Sequence, residues 1–220
     1  MIKYTGSNII EQTPCSQFLD YMSQDVELDE ETRSLVAANC HLVKLAKGKR
    51  LLTTGNVCEF VYFMVSGECI SYFSDFKGKA TTWFFHFNKP GSKVKNLFAV
   101  DYKSFLLKEP ATLSIETLSP VTAIRFSWSE IRYLIEKSRT FERWKRMHNE
   151  KTFIQTFDRI STLLTLSASE RYEKFLKEES CLLNMFSHYL IATYLDITPQ
   201  SLSRIRKNCQ GIKGKAVDNK

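Results

Sequence analysis

The chain has 220 residues, 43% hydrophobic and 13% aromatic, enough apolar material for one large domain or two ordinary ones and too much for global disorder. Its formal charge is +7 with a pI near 9.0, and no stretch approaches the roughly 18 consecutive apolar residues of a membrane helix. The start, MIKYTGSNIIEQTPC, lacks a secretory charge–apolar–small pattern, so a cytoplasmic protein with no membrane partner is expected.

Glycine and proline divide the chain. Six of the eight glycines lie at or before Gly91, none falls between Gly91 and Gly211, and no proline falls between Pro120 and Pro199. Turn-rich sequence therefore comes first and uninterrupted helix later. Asp29 to Asn39 reads as a short helix. After it, Leu51–Leu52, Phe60 to Val65, Cys69 to Phe73, Trp83 to Phe87, Leu113 to Leu118 and Val121 to Phe126 are short runs rich in β-branched and aromatic residues. Gly48, Gly55, Gly67, Gly78, Pro90–Gly91 and Ser119–Pro120 punctuate them, which predicts a small antiparallel barrel or sandwich. Strand alternation puts Trp83, Phe85 and Phe87 on one face and Phe84 and His86 on the other. Core packing is the leading reading of this aromatic run, and an apolar ligand pocket is the alternative.

The pattern switches at Ser127. Ser127 with Glu130 fits a capping box, and Ile131, Leu134 and Ile135 follow at helical spacing. The stripe continues through Phe141, Trp144, Met147, Ile154, Phe157, Ile160 and Leu164, interrupted at Lys151. A helix this long cannot hide its apolar side against a small barrel alone. A second subunit is expected to cover Phe141, Trp144, Met147, Ile154 and Phe157, with packing inside one chain as the alternative. Ser167 to Lys177 then reads as a short amphipathic helix.

Ser187 to Lys207 reads as two helices joined by a tight turn. Leu190, Ile191, Tyr194 and Leu195 give the first an apolar face, and Ser187 can cap its start. Thr198–Pro199 signals the second, in which Leu202 and Ile205 face back while Gln200, Ser201, Arg204, Arg206 and Lys207 stay outside. From Ile197 to Lys220 six Lys or Arg stand against one Asp. An apolar back with an amide-plus-guanidinium front suits a major groove, and the basic surplus suits a phosphate backbone.

The six cysteines, at 15, 40, 58, 69, 181 and 209, form no CxxC pair, and the four histidines are scattered. Buried hydrophobes or idle thiols in a reducing compartment are expected, with no metal and no other cofactor.

Punctuated strands, a long helix and a helix pair, in that order, resemble the Crp/Fnr family of bacterial transcription regulators. Four pieces carry the resemblance: VYFMVSGECISYF (Val61 to Phe73), SFLLKEPATLSIETL (Ser104 to Leu118), LLTLSASERYEKFL (Leu163 to Leu176) and IATYLDITPQSLSRIRK (Ile191 to Lys207). It implies an α+β fold: an N-terminal antiparallel, jelly-roll-like β-roll of cyclic-nucleotide-binding type (1–127), a long dimerisation helix (128–160) and a C-terminal helix-turn-helix domain of winged-helix type (161–220). It also implies a homodimeric DNA-binding transcription regulator whose partners are double-stranded DNA at a pseudo-palindromic site, a second copy of itself, and RNA polymerase.

Under that resemblance the DNA-binding set is Thr198, Gln200, Ser201, Ser203, Arg204, Arg206, Lys207 and Lys213. Arg204 suits a bidentate contact to guanine, Gln200 suits adenine, and Ser201 either a base or a phosphate. Arg206, Lys207, Lys213 and Lys215 suit phosphates. The sequence departs from the family in three places. Asp196 stands where the turn normally has glycine, and Asn208 to Lys220 is poor in strand formers, so an ordered wing is not expected. In the cyclic-nucleotide cradle the glycine becomes Val100, the acid Asp101 and the arginine Thr112, with Ser104 in the same element. Losing the only cation leaves a buried phosphate uncompensated by several kcal/mol, so no functional cyclic-AMP site is expected. Lys93, Lys95, Lys103 and Lys108 read as solvated.

A reading of another class is a ligand-binding module whose helix pair serves protein contact. An enzyme is not expected, because no nucleophile–base arrangement, paired carboxylates or phosphate-cradling glycine loop stands out.

Overall fold

The computed structural model describes residues 15–89 and 96–215, with side chains through 208. All six strand runs anticipated from sequence form strands, and two further strands join them. In chain order they are β1 (His41–Leu45), β2 (Arg50–Leu52), β3 (Phe60–Ser66), β4 (Glu68–Ser74), β5 (Ala80–Phe87), β6 (Phe98–Ala99), β7 (Leu113–Thr117) and β8 (Val121–Ser127). They make two four-stranded antiparallel sheets ordered β1-β8-β3-β6 and β2-β7-β4-β5. This is the antiparallel roll of an α+β protein. The β3–β4 turn needs its glycine: Gly67 has φ +85°, and a Cβ there would stand 2.3 Å from the Pro120 carbonyl oxygen.

One pairing is irregular. Ser71 of β4 faces Phe84, but its neighbour Tyr72 faces Thr82, so Trp83 is an extra, bulged residue on β5. The bulge corrects the alternation expected from sequence. Thr82, Phe85 and Phe87 share the face turned to the C-terminal helices, while Trp83 joins Phe84 and His86 on the roll's chamber side.

Helix α1 (Ser16–Met22), not anticipated, drives Phe18 into the core, where its ring lies 5.2 Å from Phe63, 5.0 Å from Phe126 and 5.3 Å from Trp144. Helix α2 (Glu30–Ala38) is capped by Asp29, which accepts from the Thr32 amide at 2.7 Å. The expectation of thiols throughout is corrected at one pair: Cys15 and Cys40 form a disulfide across 25 residues, with Cα atoms 6.1 Å apart. Chain spacing alone could not show that α1 and β1 begin side by side. Cys58 and Cys69 are buried thiols, and burial raises both, Cys69 to about 12. Helix α3 (Tyr102–Leu107) lies between β6 and β7.

The long helix expected from Ser127 onward is two helices. The capping box of Ser127 and Glu130 starts α4 (Trp128–Lys137), and α5 runs Arg139–Thr165, about 40 Å at 1.5 Å per residue. Ser138 separates them in an extended conformation (φ −130°, ψ 115°). Its hydroxyl accepts from the Phe141 amide at 3.0 Å and lies 2.6 Å from the Thr32 hydroxyl. A second N-cap thus resets the helix.

Helix α5 also carries two stripes where one was expected. Phe141 and Trp144 are buried inside the chain against Phe18, and Met147 packs on the same core, so these three do not belong to a subunit-facing surface. Ten residues at 3.6 per turn place Ile154 roughly 80° round the helix from Trp144. The exposed apolar stripe is instead Phe153, Ile154, Phe157, Ile160 and Leu164, each between 42% and 79% exposed. Among the described residues no helix is long and apolar enough to cross a membrane.

The C-terminal unit comprises α6 (Ala168–Glu178), a 3-10 turn (Ser180–Asn184), α7 (His188–Tyr194) and α8 (Pro199–Lys215). Ser167 and Glu170 form the capping box of α6. The second core gathers Tyr172, Phe175, Phe186, Ile191, Leu195, Leu202 and Ile205, and it includes Ile70, Phe85 and Phe87 from the roll.

Candidate nucleic-acid interface

The turn between α7 and α8 is built from backbone. Ser187 caps α7 through the Leu190 amide. At the other end the Ile197 amide donates to the Ala192 carbonyl at 3.0 Å, and the Asp196 amide to the Thr193 carbonyl at 3.2 Å. This closure requires one left-handed residue, and Asp196 supplies it with φ 52°. Asp therefore does here what glycine does in the family pattern, since a short polar side chain tolerates this conformation at modest cost.

Thr198 starts α8 by accepting from the Ser201 amide at 3.1 Å, and Pro199 occupies the first turn, where no amide proton is needed. Leu202, fully buried, and Ile205 pin the helix to α7 and α6. That anchoring leaves Gln200, Ser203, Arg204 and Lys207 exposed on one stripe at spacing i, i+3, i+4, i+7. Thr198 is exposed at the helix start, and Ser201 and Arg206 are half-buried at the flanks. Among the described residues no carboxylate lies within ion-pair distance of Arg204, Arg206 or Lys207. The backbone of Lys213 lies in α8, which continues to Lys215 where a wing would begin; its side chain lies outside the described residues.

The helix pair is seated on the roll. The Thr82 and Thr193 hydroxyls are 2.8 Å apart and buried, and Phe85 stacks on Phe186 with centroids 4.0 Å apart. Arg159 of α5 lies in the seam with its guanidinium 3.8 Å from the centre of the Tyr194 ring. It donates through Nη2 to the Thr82 carbonyl at 3.3 Å and to the Tyr194 carbonyl. Burial pushes this guanidinium below its usual range. The Tyr194 hydroxyl donates to both Glu179 carboxylate oxygens at 3.1 and 3.0 Å, and burial raises the Glu179 carboxyl. Sequence reading missed Thr82, Arg159, Glu179 and Thr193. Arg159 alone left a signal: it falls at helical spacing after Phe141, Trp144 and His148, on the buried face of α5.

Within the roll, Val100, Asp101 and Ser104 are buried and Thr112 is exposed. Asp101 is consumed by backbone: it accepts from the Ser104 amide at 3.0 Å and from the Thr112 amide at 3.3 Å. Ser104 accepts from the Cys58 amide at 2.8 Å and donates to the Glu109 carbonyl at 2.6 Å. A chamber of about 350 Å³ opens beside these residues. Two lysines on its lining are already engaged, Lys103 with Glu109 at 3.3 Å and Lys151 with Asp25. His86 and His148 on the same wall are lowered by burial, to about 4 and about 3, and are neutral at pH 7.

No protein-family model matches the sequence, and no curated protein sequence matches it. Solved structures do. FixK2 from Bradyrhizobium japonicum is 17% identical, over 79% of this chain and 86% of that one, with a TM-score of 0.65. The c-di-GMP-responsive global regulator CLP of Xanthomonas campestris is 14% identical, over 84% and 93%, with a TM-score of 0.64. A Crp/Fnr-family transcriptional regulator from Eubacterium rectale is 15% identical, over 83% and 84%, with a TM-score of 0.62. The chain thus carries the fold of the Crp/Fnr regulators, a cyclic-nucleotide-binding-type β-roll followed by a long helix and a C-terminal helix-turn-helix.

Proposed function

We propose that this protein is a homodimeric, sequence-specific DNA-binding transcription regulator of the Crp/Fnr type, not gated by cyclic AMP and not an enzyme. The observation that carries the reading is the stripe of Gln200, Ser203, Arg204 and Lys207, exposed on a helix whose other side is locked by Leu202 and Ile205. An exposed guanidinium and amide one turn apart match the paired acceptors and donors of base edges in the major groove. Arg204 reads guanine and Gln200 adenine, while Arg206, Lys207 and Lys213 hold phosphates.

A dimer is supported by the outer stripe of α5, since five large apolar residues on one exposed face favour a second copy of the same helix. Two-fold pairing presents two α8 helices to half-sites about one helical turn apart. On this reading the roll through about residue 127 is a sensor-type domain, and the segment from about residue 161 reads DNA in the cytoplasm, where RNA polymerase is the further partner. Insensitivity to cyclic AMP follows from Asp101, whose oxygens are spent on amides, and from Thr112 at the arginine position.

Selection from a randomised duplex pool, run with and without cyclic AMP, tests the reading. A palindromic motif of unchanged sharpness and affinity in both arms is the expected result. Recovery of no motif removes the DNA reading, and a motif that appears only with the nucleotide removes the second half of the proposal.

A further inference from the structure

We propose that the cavity lined by the roll, α5 and the C-terminal helices is a binding site for a small aromatic carboxylate. The cavity measures about 360 Å³ and adjoins the chamber inside the roll, the two sharing Phe84, Asn96 and Gln155 in their walls. Two guanidinium groups line it. Arg159 is 6% exposed, and while its Nη2 serves the two carbonyls of the seam, its Nε–H is buried and meets no acceptor. Arg171 donates Nη1 to the Leu163 carbonyl at 3.1 Å, and its Nε–H is likewise buried without an acceptor. Among the described residues no carboxylate stands within ion-pair distance of either arginine.

A buried charged donor left without an acceptor is among the more expensive defects a fold can carry. Here there are two on one cavity: burial weighs most on Arg159, Tyr194 and Glu179 offset part of it, and Arg171 adds to it. An oxyanion in the cavity that both side chains turn to meet relieves both deficits, and the flat fork of a carboxylate matches guanidinium geometry.

The remaining lining selects among oxyanions. Asp158 is held by Lys174 at 2.7 and 2.8 Å, Glu178 lies 3.8 Å from the same lysine, and Glu179 takes the Tyr194 hydroxyl. Three acidic side chains on the lining disfavour a doubly charged phosphate relative to a singly charged acid. Opposite them stand Phe85, Phe175 and Leu182, an apolar wall that suits a ring. The site needs no DNA, so its test is independent of the function proposed above.

Calorimetric titration of the full-length protein with benzoate and indoleacetate, set against the neutral twins benzamide and indoleacetamide and against inorganic phosphate, tests the site. The acids should bind once per chain and raise the melting temperature. The amides should bind about tenfold more weakly, the worth of one charge-assisted hydrogen bond. Arg171→Gln, at a half-buried position, should weaken the acids about tenfold and reduce the rise in melting temperature that they cause. Arg159→Lys should weaken them as well, and if that variant fails to fold, Arg171→Gln alone decides. Equal affinity for acids and amides, tighter binding of phosphate, full affinity in Arg171→Gln, or no binding of either acid would each overturn the proposal.

Discussion

Thr82 and Thr193, 111 residues apart in the chain, place their buried hydroxyls 2.8 Å from each other and so join the roll to the helix pair. The direction of that bond is fixed by a neighbour. Thr193 donates its proton to the Leu190 carbonyl at 2.9 Å, so Thr82 must be the donor to Thr193.

Thr193→Val keeps shape but strands the Thr82 proton in a dry seam. A loss of about 1–3 kcal/mol is expected, whereas the double variant Thr82→Val/Thr193→Val should recover most of it. Thermal unfolding of the four proteins of this cycle checks the coupling, and additive losses would deny it.

Arg204→Ala should weaken binding to the selected duplex by about 1–3 kcal/mol and relax preference at one base pair per half-site. Lys207→Ala should weaken all sequences alike and flatten the dependence of affinity on salt. Equilibrium binding to the site and to single-base variants, at several salt concentrations, separates the two roles.

Phe157→Glu places a charge in the exposed stripe of α5, where the folded chain offers the ring little beyond Phe153 at 6.3 Å. The variant should keep its melting behaviour at low concentration and sediment as a monomer where the parent is a dimer. Trp144→Ala, by contrast, should destabilise the chain by about 3–5 kcal/mol, because that ring belongs to the roll core.

Acidification offers a further test. His86 and His148 titrate in the folded protein at about 4 and about 3, below the ordinary value of 6.5, because burial disfavours the charged ring. The unfolded chain therefore binds protons first. The stability held by these neutral rings is complete above pH 6.5 and drains away as pH falls towards 4 and 3. Asp29, lowered to about 2 mainly by the Thr140 hydroxyl, loses its contribution only below its ordinary 3.8, a separate window. Unfolding free energy measured between pH 7 and 5 should fall for the parent and fall less for His86→Gln.

Much of the fold was legible because its signals are local. Turn glycines bracket the six strands that were anticipated, and Ser127–Glu130 announces α4 through a reciprocal cap. β1 escaped because His41, Leu42 and Lys44 are exposed on an edge, and β6 because two residues carry no period. Ser138 escaped because an N-cap inside a long apolar stripe looks like one more polar position until Thr32 is seen beside it. The exposed stripe of α8 was readable from period alone, since Leu202 and Ile205 fix which side of the helix is hidden. The seam was not: Thr82, Arg159 and Thr193 lie far apart in the chain, and a bulge set by pairing, not by composition, decides which side of β5 meets them.

That surplus residue, Trp83, lets two successive side chains point the same way and so reassigns every position beyond it. A single strand can thereby wall a hollow vessel with Phe84 and His86 while offering Phe85 and Phe87 as a saddle for another lobe. Were β4 to gain one residue opposite Trp83, the ladder would become regular and Thr82 could no longer share a face with Phe85 and Phe87. Hollowness and tethering are inherited from one and the same irregularity.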